Sequence, residues 1–402
     1  MSGLLPVAEG LARMLAGISP LPAETVNLAQ AGGRVLAEPL TALRTQPPFP
    51  ASAMDGYAVR QEDLATLPVT LKQIGVSAAG HGFHEPLMPG CCVRIFTGAP
   101  VPNGADTIII QENTQAEGDQ VSILEGEARG RYIRPSGLDF KQGETLLSEN
   151  TVLHMAALSL AASMNHATVL VRRRPRLAVI ASGDELVLPG AELRQDQIIS
   201  SNNFGLAHFA ETCGAEVMDL GIADDTLDSL NSKFEAAEDA DIVVTMGGAS
   251  VGEHDLVHQA LTNHGVVLDF WKMAMRPGKP IMFGRRQGAN GPQVYLGLPG
   301  NPVSSLVCAR IFLAPLIKTH LSQSPDLPWQ AGVLDIPLAT NDKREEYLRA
   351  TARLEEGEWH VTPFENQDSS ILTNLVRADC LVRRPAFAPA TQKGAACSIL
   401  LL

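Results

Sequence analysis

Apolar and polar positions change rhythm twice along this chain. Between residues 176 and 320, short unbroken apolar runs alternate with apolar residues spaced as on one face of a helix. Leu177, Ala178, Val179, Ile180 and Ala181 form one run and Ile242, Val243 and Val244 another; 217–222, 266–271, 280–283 and 294–296 also read as strands. A run with no polar alternate suits a strand covered on both faces. Leu206, Phe209, Ala210 and Cys213 share one helical face, as do Leu227, Leu230, Phe234 and Ala237; helices are also predicted over 256–264 and 302–320. This alternation predicts a doubly wound, mostly parallel sheet with helices on both sides.

On either side of that region the rhythm is β-type. Runs over 69–74, 93–96, 107–111 and 121–124, divided by glycine and proline clusters, predict a β-rich domain. Runs over 333–336, 347–354, 359–361 and 380–382 predict a small C-terminal β-barrel or sandwich. Helical stripes occur over 4–18 and 151–164, and Arg172-Arg173-Arg174-Pro175-Arg176 and Ser322-Gln323-Ser324-Pro325 read as linkers.

In the α/β region, polar residues recur just after the strands. Ser182 to Glu185, Asp224-Asp225, Gly247 to Asp255 and Gly300-Asn301 should therefore gather along the carboxyl edge of the sheet, where such folds hold ligands. Gly247 and Gly248, followed by Ser250, Gly252 and Asp255, let a ligand approach the backbone, and the helix start beyond favours an anion. The stretch reads as a site for a phosphorylated small molecule or as a plain strand-to-helix turn. Pro299-Gly300-Asn301-Pro302 offers a second anion cradle, with Asn301 suited to the N-cap and Pro302 to the first helical position. Arg276 and Lys279, stiffened by Pro277 and Pro280, supply cations that grip phosphate or form a solvated turn; the spacing is not that of a Walker A loop.

The carboxylates Asp55, Asp139, Asp184, Glu185, Asp224, Asp225 and Asp255 suggest a hard cation such as Mg²⁺, while Asp184, Asp225 and Asp255 serve equally as helix caps. In the β-rich part, a proline-stiffened approach to Asp55-Gly56 presents a carboxylate, and Thr97-Gly98-Ala99-Pro100 presents one hydroxyl; both also read as structural turns.

Composition narrows the partners. A net charge of -13 disfavours nucleic acid and anionic membranes. Screening over roughly 8 Å still lets a few cations set the potential inside a pocket. Six cysteines without a C-x-x-C pair argue against structural zinc and for reduced, mostly buried thiols. There is no basic leader, and no apolar run is expected to span a membrane, so the expectation is cytoplasm. H-E-x-x-H does not occur, which leaves zinc-hydrolase chemistry unsupported.

The motifs PPFPASAMDGYAV, TGAPVP, ASGDEL, GGASVGEHD, MRPGKP and LPGNPVS occur in that order. Together they closely resemble the molybdopterin molybdenumtransferases, a family that includes MoeA and the C-terminal domain of gephyrin. The resemblance implies an elongated homodimer of four-part subunits. On this chain the parts are a helical linker and dimerisation domain (1–26 with 138–174), a β-rich domain (27–137), an α/β pterin-nucleotide domain (175–323) and a C-terminal β-barrel (328–402). It implies molybdate, adenylylated molybdopterin and Mg²⁺ as the reactants and metal, AMP release, and a molybdopterin adenylyltransferase upstream. It also implies a site composed from two subunits. Asp55 and Thr97 match the family's functional positions; Asp139, Glu185, Asp225 (or Asp224) and Asp255 match its acidic ones; Arg276 and Lys279 match its cationic pair. Arg276 stands where several relatives have lysine. Ser369 or Ser370 is similar to a serine placed near the site. Two rival readings are a molybdopterin adenylyltransferase or nucleotide pyrophosphatase, and a non-catalytic gephyrin-like scaffold.

Overall fold

A computed structural model of the chain describes residues 4–247, 256–288 and 291–402. The chain divides into two compact units, Met1–Glu24 with Arg172–Leu402, and Thr25–Val171.

The first unit is built on a six-stranded sheet. Glu216–Ala223, Arg176–Ser182, Ile242–Met246 and Gly291–Leu298 lie side by side and parallel. Pro280–Gly288 then pairs antiparallel with Gly291–Leu298, and Val267–Lys272 pairs antiparallel with Pro280–Gly288 at the edge. The sheet is thus parallel over its first four strands and antiparallel at the edge built by 267–288. Leu177 to Ala181 and Ile242 to Val244 are almost completely buried, as strands covered on both faces require.

Pro302–His320, which is helical throughout with a π-type turn over Ala309–Leu313, is long and apolar enough to cross a membrane. This corrects the expectation that no apolar run has that length. Some 72% of its most apolar window is buried inside the protein, so the core uses that surface.

The first helix, Val7–Leu15, belongs to this unit, whereas the sequence reading groups residues 1–26 with 138–174. Arg285 explains the attachment. Its guanidinium donates to the carbonyls of Arg13, Met14 and Ala16 at 2.7, 3.2 and 2.8 Å, satisfying acceptors that every helix end leaves open.

The C-terminal segment closes on itself. Gln330–Leu334, Glu345–Glu355, Glu358–Pro363, Cys380–Arg384 and Ala396–Leu401 pair around a ring that returns from Cys380–Arg384 to Glu345–Glu355. This closed ring decides for a barrel over a sandwich. Met275–Arg276 adds to it in parallel, with Arg276 opposite Glu346.

The second unit carries a six-stranded sheet ordered Thr107–Ile110, Gly56–Val59, Cys91–Ile95, Val69–Ser77, Gln120–Ile123, Thr114–Glu117. Strand alternation sends Tyr57 and Val59 into one core and Ala58 into another. A third core forms around helix Met155–Ser163, with Leu36, Phe140, Leu153 and Ala161. All six cysteines are free thiols; Cys92, Cys308 and Cys380 are buried and the others half-buried.

Candidate active site

In the first unit, the carboxyl edge of the parallel strands opens into a cavity of about 1000 Å³. Its walls come from the ends of those strands, the 275–280 turn, the start of Pro302–Cys308 and the 367–370 loop of the barrel. Glu185, Asp225, Gly247, Arg276, Lys279, Pro299, Asn301 and Ser369 all line it. Gly248, Ser250, Gly252 and Asp255 lie outside the described residues. Asp55, Thr97 and Asp139 belong to the second unit.

The cavity depends on close backbone packing. Gly247 sits at φ +91, and a Cβ there would overlap the Ser182 carbonyl oxygen. Its N–H donates to the Leu298 carbonyl at 3.2 Å, which ties neighbouring strand ends together.

Asp225 is fixed from two sides. Ser182 Oγ donates to its Oδ1 at 2.8 Å, and its own N–H donates to Asp184 Oδ1 at 2.8 Å. The cap of helix Leu227–Ala236 is Thr226, whose hydroxyl accepts from the Ser229 N–H. That finding removes the capping role for Asp225 and leaves its carboxylate turned to the cavity. Asp184 caps no helix either; the strand Leu186–Val187 follows it. Asp224 does not line the cavity, and its N–H is spent on Ser229 Oγ at 3.1 Å.

Asn301 occupies the N-cap position with Pro302 at N1, but its side chain makes no capping bond. Its Nδ2 donates instead to Ser369 Oγ at 2.9 Å, and the Val303 N–H donates to the Ser369 carbonyl at 3.1 Å. One donor of the expected anion cradle is thereby consumed, and the barrel loop is stitched to the helix start. Ser370 also lines the cavity, and its hydroxyl donates to Asp368 Oδ1 at 2.7 Å.

The two cations differ. Lys279 is exposed to the cavity and has no ion-pair partner among the described residues. Arg276 is engaged: Nη2 donates to Asp342 Oδ2 at 2.8 Å, and Nη1 lies 3.2 Å from Glu346 Oε1. Parallel pairing of Met275–Arg276 with the barrel brings acidic residues to Arg276. The sequence reading also passed over Lys272 and Arg344, which line the cavity. Nothing local in the sequence marks Arg344 as part of a distant site.

In the second unit, Asp55 and Thr97 form a closed pair. The Thr97 N–H and Oγ donate to Asp55 Oδ1 at 2.7 and 2.8 Å. These bonds, the backbone one first, hold the Asp55 carboxyl below its ordinary range, with the Arg94 charge assisting. Gly56 is needed for strand packing rather than for a tight turn, since a Cβ there would overlap the Ile109 carbonyl oxygen. Asp139 is exposed on a segment whose N–H groups at Gly137 and Asp139 donate to the Pro47 and Gln46 carbonyls.

Among the described residues, no group of three or more His, Cys, Asp or Glu side chains is arranged to hold a metal. Mg²⁺ does not require one, because it takes one or two carboxylates together with substrate phosphates and water. The Asp225 carboxylate facing the cavity fits that use.

Comparison with known proteins supplies a frame. Residues 5–165 match the MoeA N-terminal region (domain I and II), 178–319 a probable molybdopterin binding domain, and 331–402 the MoeA C-terminal region (domain IV). The chain is 35% identical over 386 residues to a molybdopterin molybdenumtransferase of Haemophilus influenzae, covering 94% of each. It is 35% identical over 373 residues to one of a Nostoc species, covering 90% of this chain and 85% of that one. The crystal structure of a molybdopterin biosynthesis MoeA protein from Pyrococcus horikoshii matches with a TM-score of 0.81 and 26% identity, covering 100% of both chains.

Proposed function

The chain belongs to the MoeA family of molybdopterin molybdenumtransferases, and from that premise we infer that it is a transferase of molybdenum cofactor biosynthesis acting on molybdopterin. The observation that carries the reading is the cavity that gathers Glu185, Asp225, Lys279, Asn301 and Ser369 at the carboxyl edge of the sheet. Its substrates on this reading are molybdate and adenylylated molybdopterin. The two dithiolene sulfurs bond molybdenum in place of two molybdate oxygens, which leave as water with the thiol protons and protons from solvent; another water cleaves the adenylyl phosphoanhydride, and AMP leaves.

Each residue has a distinct task. Lys279 draws the anions in as a point charge, and the hydroxyl of Ser369, held by the Asn301 amide, orients them. Glu185, exposed on the cavity wall, positions the attacking water and receives its proton. Asp225 would hold Mg²⁺, which when bound offsets the charge of the phosphoanhydride oxygens. The rival adenylyltransferase, pyrophosphatase and scaffold readings are not favoured, because relatives matching over nearly the whole chain carry the molybdenumtransferase name.

We further propose a cytoplasmic homodimer in which the Asp55 and Thr97 loops of one subunit complete the cavity of the other, supplied by a molybdopterin adenylyltransferase. Two experiments test this. Purified protein should release AMP from adenylylated molybdopterin only when molybdate is present, and Glu185→Gln should slow release about 10²-fold or more. Release at full rate without molybdate would favour a pyrophosphatase. Asp55→Asn and Lys279→Ala, each inactive alone, should regain activity when co-assembled. No regain in verified mixed dimers would place each site within one subunit.

A further inference from the structure

Two guanidiniums at the cavity wall converge on one carboxylate oxygen. Asp342 Oδ2 accepts from Arg276 Nη2 at 2.8 Å and from Arg344 Nη2 at 2.9 Å. Both arginines line the cavity, while Asp342, which holds them, does not. The carboxylate is firmly seated. Its Oδ1 accepts the Arg344 N–H at 2.8 Å, and its own N–H donates to Asn341 Oδ1 at 2.8 Å. Asn341 is buried and donates to the carbonyls of Arg344 and Pro385, each at 2.8 Å. The Phe387 N–H donates to the Asp342 carbonyl at 2.7 Å. Hydrogen bonds from the Arg344 side chain, then from its backbone, with the Arg276 charge, bring the Asp342 pKa down to about 2, so the group is ionised at any working pH.

We propose that Asp342 is an internal competitor for the oxyanion substrate: it occupies guanidinium donors of Arg276 and Arg344 that a tetrahedral oxyanion would otherwise take, and so sets the anion affinity of the cavity. Carboxylates and phosphate-like oxyanions are gripped by the same face of a guanidinium, so the two compete for the same donors. The built-in carboxylate also offsets the repulsion between two cations held on one oxygen, which keeps both ordered until the anion arrives. An incoming dianion gains more from the pair than a monoanion does, so exchange favours molybdate or phosphate over small monoanions. The inference rests on the oxyanion-binding role of the cavity proposed above.

Asp342→Asn keeps the shape and an acceptor while removing the charge, and Asp342→Glu keeps the charge. Titration calorimetry with molybdate, and separately with AMP, on the full chain reads the effect. Asp342→Asn should bind molybdate about tenfold more tightly than wild type at low salt, with the gain shrinking as salt rises. Asp342→Glu should stay within about twofold of wild type. Equal or weaker binding by a folded Asp342→Asn, or the same change in both variants, overturns the proposal and makes Asp342 a strut. If Asp342→Asn does not fold, Asp342→Ser takes its place with the same expectations. If wild type binds neither probe but the uncharged variant does, the competitor role stands. Binding of neither probe by any variant overturns the proposal and the oxyanion reading together, whereas wild-type binding without the gain overturns the proposal alone.

Discussion

Asp55 and the cavity residues are both built from loops at strand ends, yet they are held in opposite ways. Asp55 has one oxygen filled by two donors of Thr97, 2.7 and 2.8 Å away, within a turn of the β-rich unit. In the α/β unit, Lys279 has no ion-pair partner among the described residues. Arg276 is held only through carboxylates of the barrel. A carboxylate whose bonds are already made costs nothing to organise when a ligand arrives, and it acts through its charge and orientation. A lysine without a partner is available to an anion but must be ordered by it. Asp55 in one unit thus has pre-set geometry, whereas Lys279 in the other offers available charge.

The largest expected effect tests the available charge. Lys279→Ala should leave the thermal midpoint unchanged, because the side chain is exposed and has no ion-pair partner among the described residues. It should lower molybdate-dependent AMP release by 10²- to 10³-fold, about 3–4 kcal/mol in transition-state terms. Activity close to wild type would return Lys279 to a solvated turn.

Next comes the frame of the pre-set region. Gly56→Ala should cost about 3 kcal/mol in urea unfolding of the β-rich unit, since its Cβ meets the Ile109 carbonyl oxygen between paired strands. An unchanged unfolding midpoint would show that the sheet there yields.

Acid should also separate the units. His320 is 5% exposed, both its ring nitrogens lack a hydrogen-bond partner, and burial lowers its pKa from 6.5 to about 4. The unfolded chain therefore binds a proton between about pH 6.5 and 4 that the folded chain refuses, so stability falls as the pH drops through that window. The loss should total roughly 3 kcal/mol and vanish in His320→Leu. Asp55, with its lowered folded pKa, acts in a more acidic window: its contribution is present above the unfolded carboxylate pKa and is lost as the pH falls through the lowered value. Fluorescence or hydrogen exchange resolving the units should show the α/β unit weakening first; simultaneous loss would undo the contrast.

The smallest effect is at Thr97. Thr97→Val removes the hydroxyl bond but leaves the backbone N–H to Asp55, so AMP release should fall about tenfold, with Thr97→Ser near wild type. Equal loss in both variants would point to the loop rather than to the hydroxyl.

What the sequence by itself determined follows from periodicity and backbone chemistry. Unbroken apolar runs such as 177–181 and 242–244 specify strands covered on both faces, and regular alternation with helical stripes orders them into a sheet with one ligand-bearing edge. Glu185, Gly247 and Asn301 were legible because each follows such a strand, so strand direction sends them to one edge, whereas Lys279 precedes its strand and reaches that edge because Pro280–Gly288 runs antiparallel. Which donors and charges remain available there was decided only by tertiary structure, because hydrogen bonds and ion pairs are made by residues far apart in the chain. Thr226 takes the cap that Asp225 was also suited to, and Ser369 takes the amide of Asn301. Barrel closure carries Asp342 and Glu346 to Arg276, pairing a cation that looks free in the sequence. A motif names the groups at an edge, but its neighbours in space determine which of them can still meet a substrate.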